Sequence, residues 1–146
     1  MNNNLIITIG REYGTGGREI GQKLALRLGV PFYDRELITR AAKKTGFDEK
    51  LFEQLDKRAT NSFLYSLTMF GSVGLNGMSL TDQLYLAQSN IIREMAEDSS
   101  CVIVGRCADH VLRDFPNKFD FFIHGSIEDR VKRVQTCGDY VIEGKT

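Results

Sequence analysis

The stretch Ile6-Ile7-Thr8-Ile9-Gly10-Arg11-Glu12-Tyr13-Gly14-Thr15-Gly16-Gly17-Arg18-Glu19-Ile20-Gly21 decides how this chain is read. Leu5 to Ile9 is a short, mostly β-branched run that stops at Gly10, the pattern of a strand buried on both faces in a parallel sheet. Five glycines, Gly10, Gly14, Gly16, Gly17 and Gly21, then fall within twelve residues. Beyond them Ile20, Leu24 and Leu28 recur at helical spacing, with Gly21 and Ala25 on an adjoining strip that permits close packing, and Gly29 is a natural stop. The order is strand, glycine loop, helix.

In an open parallel sheet, ligands bind outside the carboxyl ends of the strands, where the helix after the first strand points its N-terminus. A glycine-rich turn leading into a helix offers backbone N–H groups and the positive end of the helix dipole. Gly14-Thr15-Gly16-Gly17-Arg18 therefore reads as a phosphate cradle. The competing reading is a tight turn for helix–sheet packing, which needs one or two glycines where this loop has four.

Working outward, Pro31-Phe32-Tyr33-Asp34 holds a short strand, and Asp34 stands as the cap of a helix with Leu37, Ile38, Ala41 and Ala42 inward, closed by Gly46. Asp48 caps a helix through Leu51, Phe52 and Leu55, and Thr81 another through Leu84, Gln88, Ile91, Ile92 and Met95. Phe70 to Ser79 between them reads as a loop, with Phe63, Leu64, Leu67, Met69 and Phe70 as satellite core. Cys101 to Val104 and Phe119 to Ile123 are two more buried-strand runs. Ser126 with Asp129 resembles a capping box and opens a helix with Ile127, Val131 and Val134 inward. Tyr140-Val141-Ile142 is a candidate last strand. Strands alternating with helices point to an α/β domain with a parallel sheet.

Composition narrows the function. The 146 residues carry 19 Lys+Arg and 19 Asp+Glu, which removes the broad basic field of non-specific nucleic-acid binding. The zero total hides a gradient: residues 1–46 hold eight Lys/Arg against four Asp/Glu, residues 47–100 four against eight, and the rest seven against seven. The positive surplus sits with the glycine cluster. Cys101, Cys107 and Cys137 are an odd set without CxxC spacing and read as idle thiols of a reducing compartment; a catalytic Cys107 near His110 has no further support. The N-terminus lacks a signal-peptide pattern, and Phe63 to Leu80, the most apolar stretch, is broken by Ser66, Gly71, Ser72, Gly74, Asn76 and Gly77, so a cytoplasmic protein without a membrane partner is expected.

Two phosphate motifs compete for the loop. The dinucleotide fingerprint GxGxxG fits Gly14 and Gly16 but meets Glu19 where it needs Gly or Ala, although Asp34 lies where a ribose-binding acid is expected. The P-loop pattern GxxxxGK[ST] also departs: either Gly17 takes the lysine position, or Arg18 does and Glu19 replaces the Mg²⁺-binding hydroxyl.

Three segments together resemble one family. Ile7 to Gly21, then Leu28-Gly29-Val30-Pro31-Phe32-Tyr33-Asp34-Arg35-Glu36-Leu37-Ile38, then Val102-Ile103-Val104-Gly105-Arg106-Cys107-Ala108-Asp109, are similar to the cytidylate kinase-like family of P-loop nucleoside monophosphate kinases, with the likeness reaching about Val134. The resemblance implies a three-layer, parallel-sheet P-loop kinase-like α/β fold with a helical insertion, in a single domain over 1–146. Its core would be about 1–34 and 99–146, and its acceptor-binding helical section about 35–98. It implies transfer of the ATP γ-phosphoryl group to a nucleoside monophosphate or other small acceptor, with ATP and Mg²⁺ as cofactors and no identifiable Mg²⁺ ligand. Gly14, Thr15, Gly16, Gly17 and Arg18 would wrap the donor phosphates, and Asp34, Arg40 and Arg106 would hold the acceptor. Among the catalytic candidates Arg18, Arg130 and Arg133, Arg18 would supply the positive charge that a P-loop lysine normally brings, and Arg130 and Arg133 would neutralise charge on the phosphoryl group in flight. Phosphoryl transfer itself needs positioning and cationic clamps rather than a covalent nucleophile, and arginine's planar fork suits phosphate oxygens.

The departures define the alternatives. The P-loop lysine and its following hydroxyl are absent, and the family's arginine-rich lid, final strand and helix are expected to be missing, with Cys137 to Ile142 either that strand or an unrelated tail. A catalytically degenerate nucleotide- or phosphate-binding module is therefore the second reading, and a Rossmann-type dehydrogenase the third.

Overall fold

The computed structural model describes residues 3–35, 37, 38 and 80–137. Strand β1 (Ile6–Arg11) is followed by helix α1 (Gly17–Leu28) and a two-residue strand β2 (Phe32–Tyr33). Helix α2 (Leu80–Asp98), strand β3 (Cys101–Val104), the short helix α3 (Ala108–Val111), strand β4 (Lys118–Ile123) and helix α4 (Ile127–Thr136) complete the described elements. The helix expected from Asp48, the loop expected from Phe70 to Ser79, Arg40 and the strand expected at Tyr140 to Ile142 lie outside the described residues.

The chain divides into two compact units. Met1–Arg35 with Met95–Thr146 carries the sheet, and Glu36–Glu94 carries the first part of α2, in which Gln88 and Ile92 are buried. Among the described residues no helix is long and apolar enough to cross a membrane.

The expected α/β parallel sheet is present. Its four strands run in the order β2-β3-β1-β4, every neighbouring pair parallel. Ile9 stands opposite Val104 on one side of β1 and opposite Phe121 on the other. β1 and β3 are central and read as unbroken apolar runs because helices or loops cover both of their faces; Ile7, Ile9, Val102, Val104 and Ala25 of α1 form the core. Each of the Ile and Val side chains contributes roughly 1.5–3 kcal/mol on burial.

Three side-chain expectations are corrected. On α1 the buried strip is Gly17, Gly21 and Ala25, whereas Ile20 and Leu28 are exposed. The helix lies so close to the sheet that its fully buried positions are small residues, with Leu24 packed against the edge of the core. On β4 the aromatics Phe119, Phe121 and Phe122 are more than half exposed, because β4 is the outer strand of the described sheet. Lys118, whose side chain is largely covered, pairs with the exposed Asp120, and the buried Thr8 hydroxyl donates to Asp120 Oδ1 at 2.5 Å. Partial burial alone would raise the Asp120 carboxyl, but the hydrogen bonds from Lys118 and Thr8 outweigh it and hold it below the ordinary range.

The third correction is on α4, where no residue is buried and Ile127 and Val131 face outward. The cap itself forms, Ser126 Oγ accepting the Asp129 N–H at 3.1 Å. The Asp129 carboxylate accepts the Ser126 hydroxyl at 2.8 Å rather than reaching the backbone as a longer Glu would.

Candidate functional site

The strand order creates a crevice. From β1 the chain proceeds to β2, on the β3 side, whereas from β3 it proceeds to β4, on the opposite side of β1. Adjacent strands whose connections leave in opposite directions part at their carboxyl ends, and that is where α/β sheets bind ligands. β1 ends there in Arg11 and the glycine loop, β3 in Gly105, Arg106 and Cys107.

The loop's backbone is built by its glycines. Gly14 (φ 84°) and Gly16 (φ 77°) are left-handed, and Gly16 caps α1 with no side-chain hydrogen bond to the helix. The first turn of α1 thus receives no side-chain hydrogen bond from its cap residue, and the N-terminus of a helix is where the dipole favours an anion. Thr15 folds back, its hydroxyl donating to the Glu12 carbonyl at 2.8 Å. The N-terminus of α1 receives further cover from α4. A side chain at Gly14 would meet the Arg130 carbonyl at 2.9 Å, and one at Gly16 would meet the Arg133 guanidinium at 2.6 Å.

Both α4 arginines are engaged with the loop. Arg130 donates from Nε to the Tyr13 carbonyl at 2.7 Å and pairs with Glu12 at 3.3 Å; Glu12 also accepts the Gly125 N–H at 3.1 Å. Arg133 pairs with Glu19, which also takes Lys23 at 2.6 Å. These contacts, with Lys23 the stronger influence and Arg133 the next, hold the Glu19 carboxyl below its ordinary value. Solvent-exposed pairs of this kind are weak, because water and salt screen the two charges. The two glutamates hold the arginines against the loop.

On the other side of the loop, Arg18 Nε donates to the buried Asp34 carboxylate at 2.8 Å, tying α1 to the end of β2. At the end of β3, Gly105, Arg106 and Cys107 have φ of 81°, 57° and 53°, a run of left-handed residues that costs about 1–3 kcal/mol at each non-glycine position. Such strain is stored where a side chain must be aimed, and it falls at the crevice. Beside the loop lies an apolar groove of about 290 Å³ lined by Tyr13, Ile127, Arg130, Val131, Val134 and Gln135.

The structure thus gathers Gly14 to Arg18, Arg130 and Arg133 around one helix N-terminus, brings Asp34 to Arg18, and sets Arg106 at the adjoining strand end; Arg40 is outside the described residues. Sequence reasoning missed Arg11, Glu12 and Glu19 as members. Arg11 had a signal, since it follows the strand's last apolar residue by two and stands at the carboxyl end where ligands bind. Glu19 had none, because its partner is 114 positions away. Among the described residues no group of three His, Cys, Asp or Glu side chains is placed to hold a metal ion. Cys107 is exposed and Cys101 buried, all three thiols being free.

Comparison with known proteins adds to this geometry. The model of the cytidylate kinase-like family matches residues 6–140. A crystal structure of an uncharacterized protein from Eubacterium ventriosum ATCC 27560 is 31% identical with a TM-score of 0.62, the match covering 90% of this chain and 60% of that one. The chain therefore spans less than two thirds of that relative's length. No curated protein matches the chain.

Proposed function

This chain belongs to the cytidylate kinase-like family, and from that premise we propose that it binds a nucleoside triphosphate at the glycine loop and transfers the terminal phosphoryl group to a nucleoside monophosphate or similar small acceptor. Membership carries a P-loop kinase-like α/β fold and a nucleotide kinase-like function in general terms; the donor, the acceptor and the residue roles are our reading. The observation that carries it is the α1 N-terminus, capped by Gly16 without a side-chain hydrogen bond, with Arg130 and Arg133 laid against it at the carboxyl ends of a β2-β3-β1-β4 sheet.

In that reading the backbone from Gly14 to Arg18 holds the donor's β- and γ-phosphates, and the helix dipole favours their charge. An acceptor oxygen attacks the γ-phosphorus as its bond to the bridging oxygen breaks, so no protein nucleophile is needed. Arg130 and Arg133 exchange their glutamates for phosphoryl oxygens, with Arg18 at the helix start. Asp34, Arg106 and Arg40 orient the acceptor, and the groove at Tyr13 offers apolar walls to a planar base. Mg²⁺ would arrive on the nucleotide's phosphates and supply charge neutralisation; the described residues offer no three-ligand cage, and no protein ligand to it is assigned.

A second reading has its own observation: Glu12 and Glu19 already neutralise Arg130 and Arg133, as suits a module that binds nucleotide without turnover. Thermal unfolding with ATP, GTP, CMP, dCMP, AMP and NAD, with and without Mg²⁺, separates the possibilities. A ligand at 100 times its Kd adds about 2.7 kcal/mol of stability. ATP stabilisation together with ADP release on adding a nucleoside monophosphate is the expected result. Stabilisation without release supports the binding module, and no response to any nucleotide refutes both.

A further inference from the structure

We propose that Arg11, from the end of β1, brings to the phosphate site the positive charge that a lysine brings in P-loops, and that position 17 is glycine to make room for it. The inference rests on the phosphate-binding reading above and adds to its arginines the residue that stands in for the lysine. In the P-loop pattern a lysine follows the last glycine and reaches the β- and γ-phosphates. Here Gly16 is left-handed and caps the helix, so the residue in the lysine position is Gly17, which has no charge.

The geometry shows what fills that space. A Cβ on Gly17 would lie 2.7 Å from Arg11 Cβ, 2.9 Å from its Cγ and 3.5 Å from its Cδ. Those atoms are the root of the side chain, held by the strand, and cannot swing away as a flexible tip would. Further along, a Cβ on Gly105 would lie 2.5 Å from Arg11 Nη1. The Arg11 stem thus crosses the first residue of α1, and its guanidinium rests on the end of β3, spanning the crevice between the two strands. Two glycines far apart in sequence are small for the same side chain. Arg18 is directed elsewhere, its Nε on Asp34 behind β2, on the other side of β3 from β1. Arg130 and Arg133 approach from α4. Arg11 is exposed at the crevice and stays charged at any working pH, and its planar fork suits two phosphate oxygens at once.

The test uses the full chain and inorganic tripolyphosphate, followed by calorimetry. Arg11→Gln keeps most of the stem and removes the charge; it is expected to weaken tripolyphosphate at least tenfold, while Arg27→Gln, which removes a charge from the last turn of α1, changes it less than twofold. The exchange variant Arg11→Gly with Gly17→Lys puts the cation back in the lysine position and is expected to return affinity to within threefold of the wild type. A ligand-free readout tests the steric half: Gly17→Ala lowers the unfolding midpoint of the wild type but not of the Arg11→Gly background. A wild type that ignores tripolyphosphate overturns the phosphate-binding reading and the Arg11 role with it. Wild-type binding that Arg11→Gln leaves within twofold overturns the Arg11 role alone, and an equal midpoint loss from Gly17→Ala in both backgrounds overturns the steric explanation.

Discussion

Replacing Gly21 by alanine tests whether α1 is seated on the sheet as closely as the structure has it. In an exposed helix the change would stabilise by about 0.5–1 kcal/mol, because alanine loses less backbone entropy. Here the new methyl would sit 2.7 Å from Val104 Cγ2, 3.1 Å from Phe32 Cε2 and 3.2 Å from Ile9 Cδ1. Val104 and Ile9 are core residues, 1% and 2% exposed, and neither has solvent to move into. Overpacking of this kind costs about 1–3 kcal/mol. The opposing terms leave a net loss of about 1–2 kcal/mol, set against a total stability of about 5–15 kcal/mol. With a urea slope of about 2 kcal/mol/M, the midpoint should fall by about 0.5–1 M at unchanged slope. Gln22→Ala, exposed on the same helix, should leave the midpoint unchanged or slightly higher. A Gly21→Ala protein with a midpoint equal to or above the wild type would refute the close seating, and with it the reason the buried strip is made of small residues.

Other expectations follow from the site and its surroundings. Arg106→Ala is expected to lower phosphoryl transfer by at least a hundredfold while leaving ATP-induced stabilisation in place; unchanged turnover would remove Arg106 from acceptor binding. Glu19 titrates below its ordinary value, so its ion pairs contribute stability above about pH 4.5 and lose it as pH falls through the lower folded value. The wild type's midpoint advantage over Glu19→Gln should therefore be present at neutral pH and vanish in acid; an advantage that persists in acid would contradict the pairing. Burial pushes the Cys101 thiol up to about 11, whereas Cys107 is exposed. Iodoacetamide on the native protein should label Cys107 and reach Cys101 only on unfolding, as read by peptide mass spectrometry. Gly29 is left-handed (φ 66°) with open space around it, so Gly29→Ala should cost about 1 kcal/mol through backbone strain alone and Gly29→Asn less.

The elements that were legible in the sequence are those whose cause is local. A β-branched run ending at Gly10 made β1, Gly29 in the left-handed region stopped α1, and Ser126 accepted the Asp129 N–H to open α4. Each depends on residues within a turn of one another. The faces of α1 and α4 were misread for one reason: periodicity says which residues share a stripe, and the depth of the neighbouring surface says which stripe is buried. On α1 the sheet is near enough that only Gly17, Gly21 and Ala25 are fully buried, and on α4 Ile127, Val131 and Val134 wall a groove instead of a core.

The glycine loop by itself determined a left-handed turn between a buried strand and a helix, because only glycine adopts the geometry at Gly14 and Gly16 without strain. It left the dinucleotide and P-loop readings open. Strand order decided between them: β3 lies between β1 and β2, whereas the dinucleotide fold sets its second strand beside the first. Tertiary structure also decided which charges meet, drawing Arg130 and Arg133 to Glu12 and Glu19 and laying Arg11 over Gly17 toward Gly105. Turn chemistry acts through bonds a few residues apart and is written in the chain locally. The charge constellation arises only when β1, β3 and α4 are packed side by side, and no local pattern records that neighbourhood.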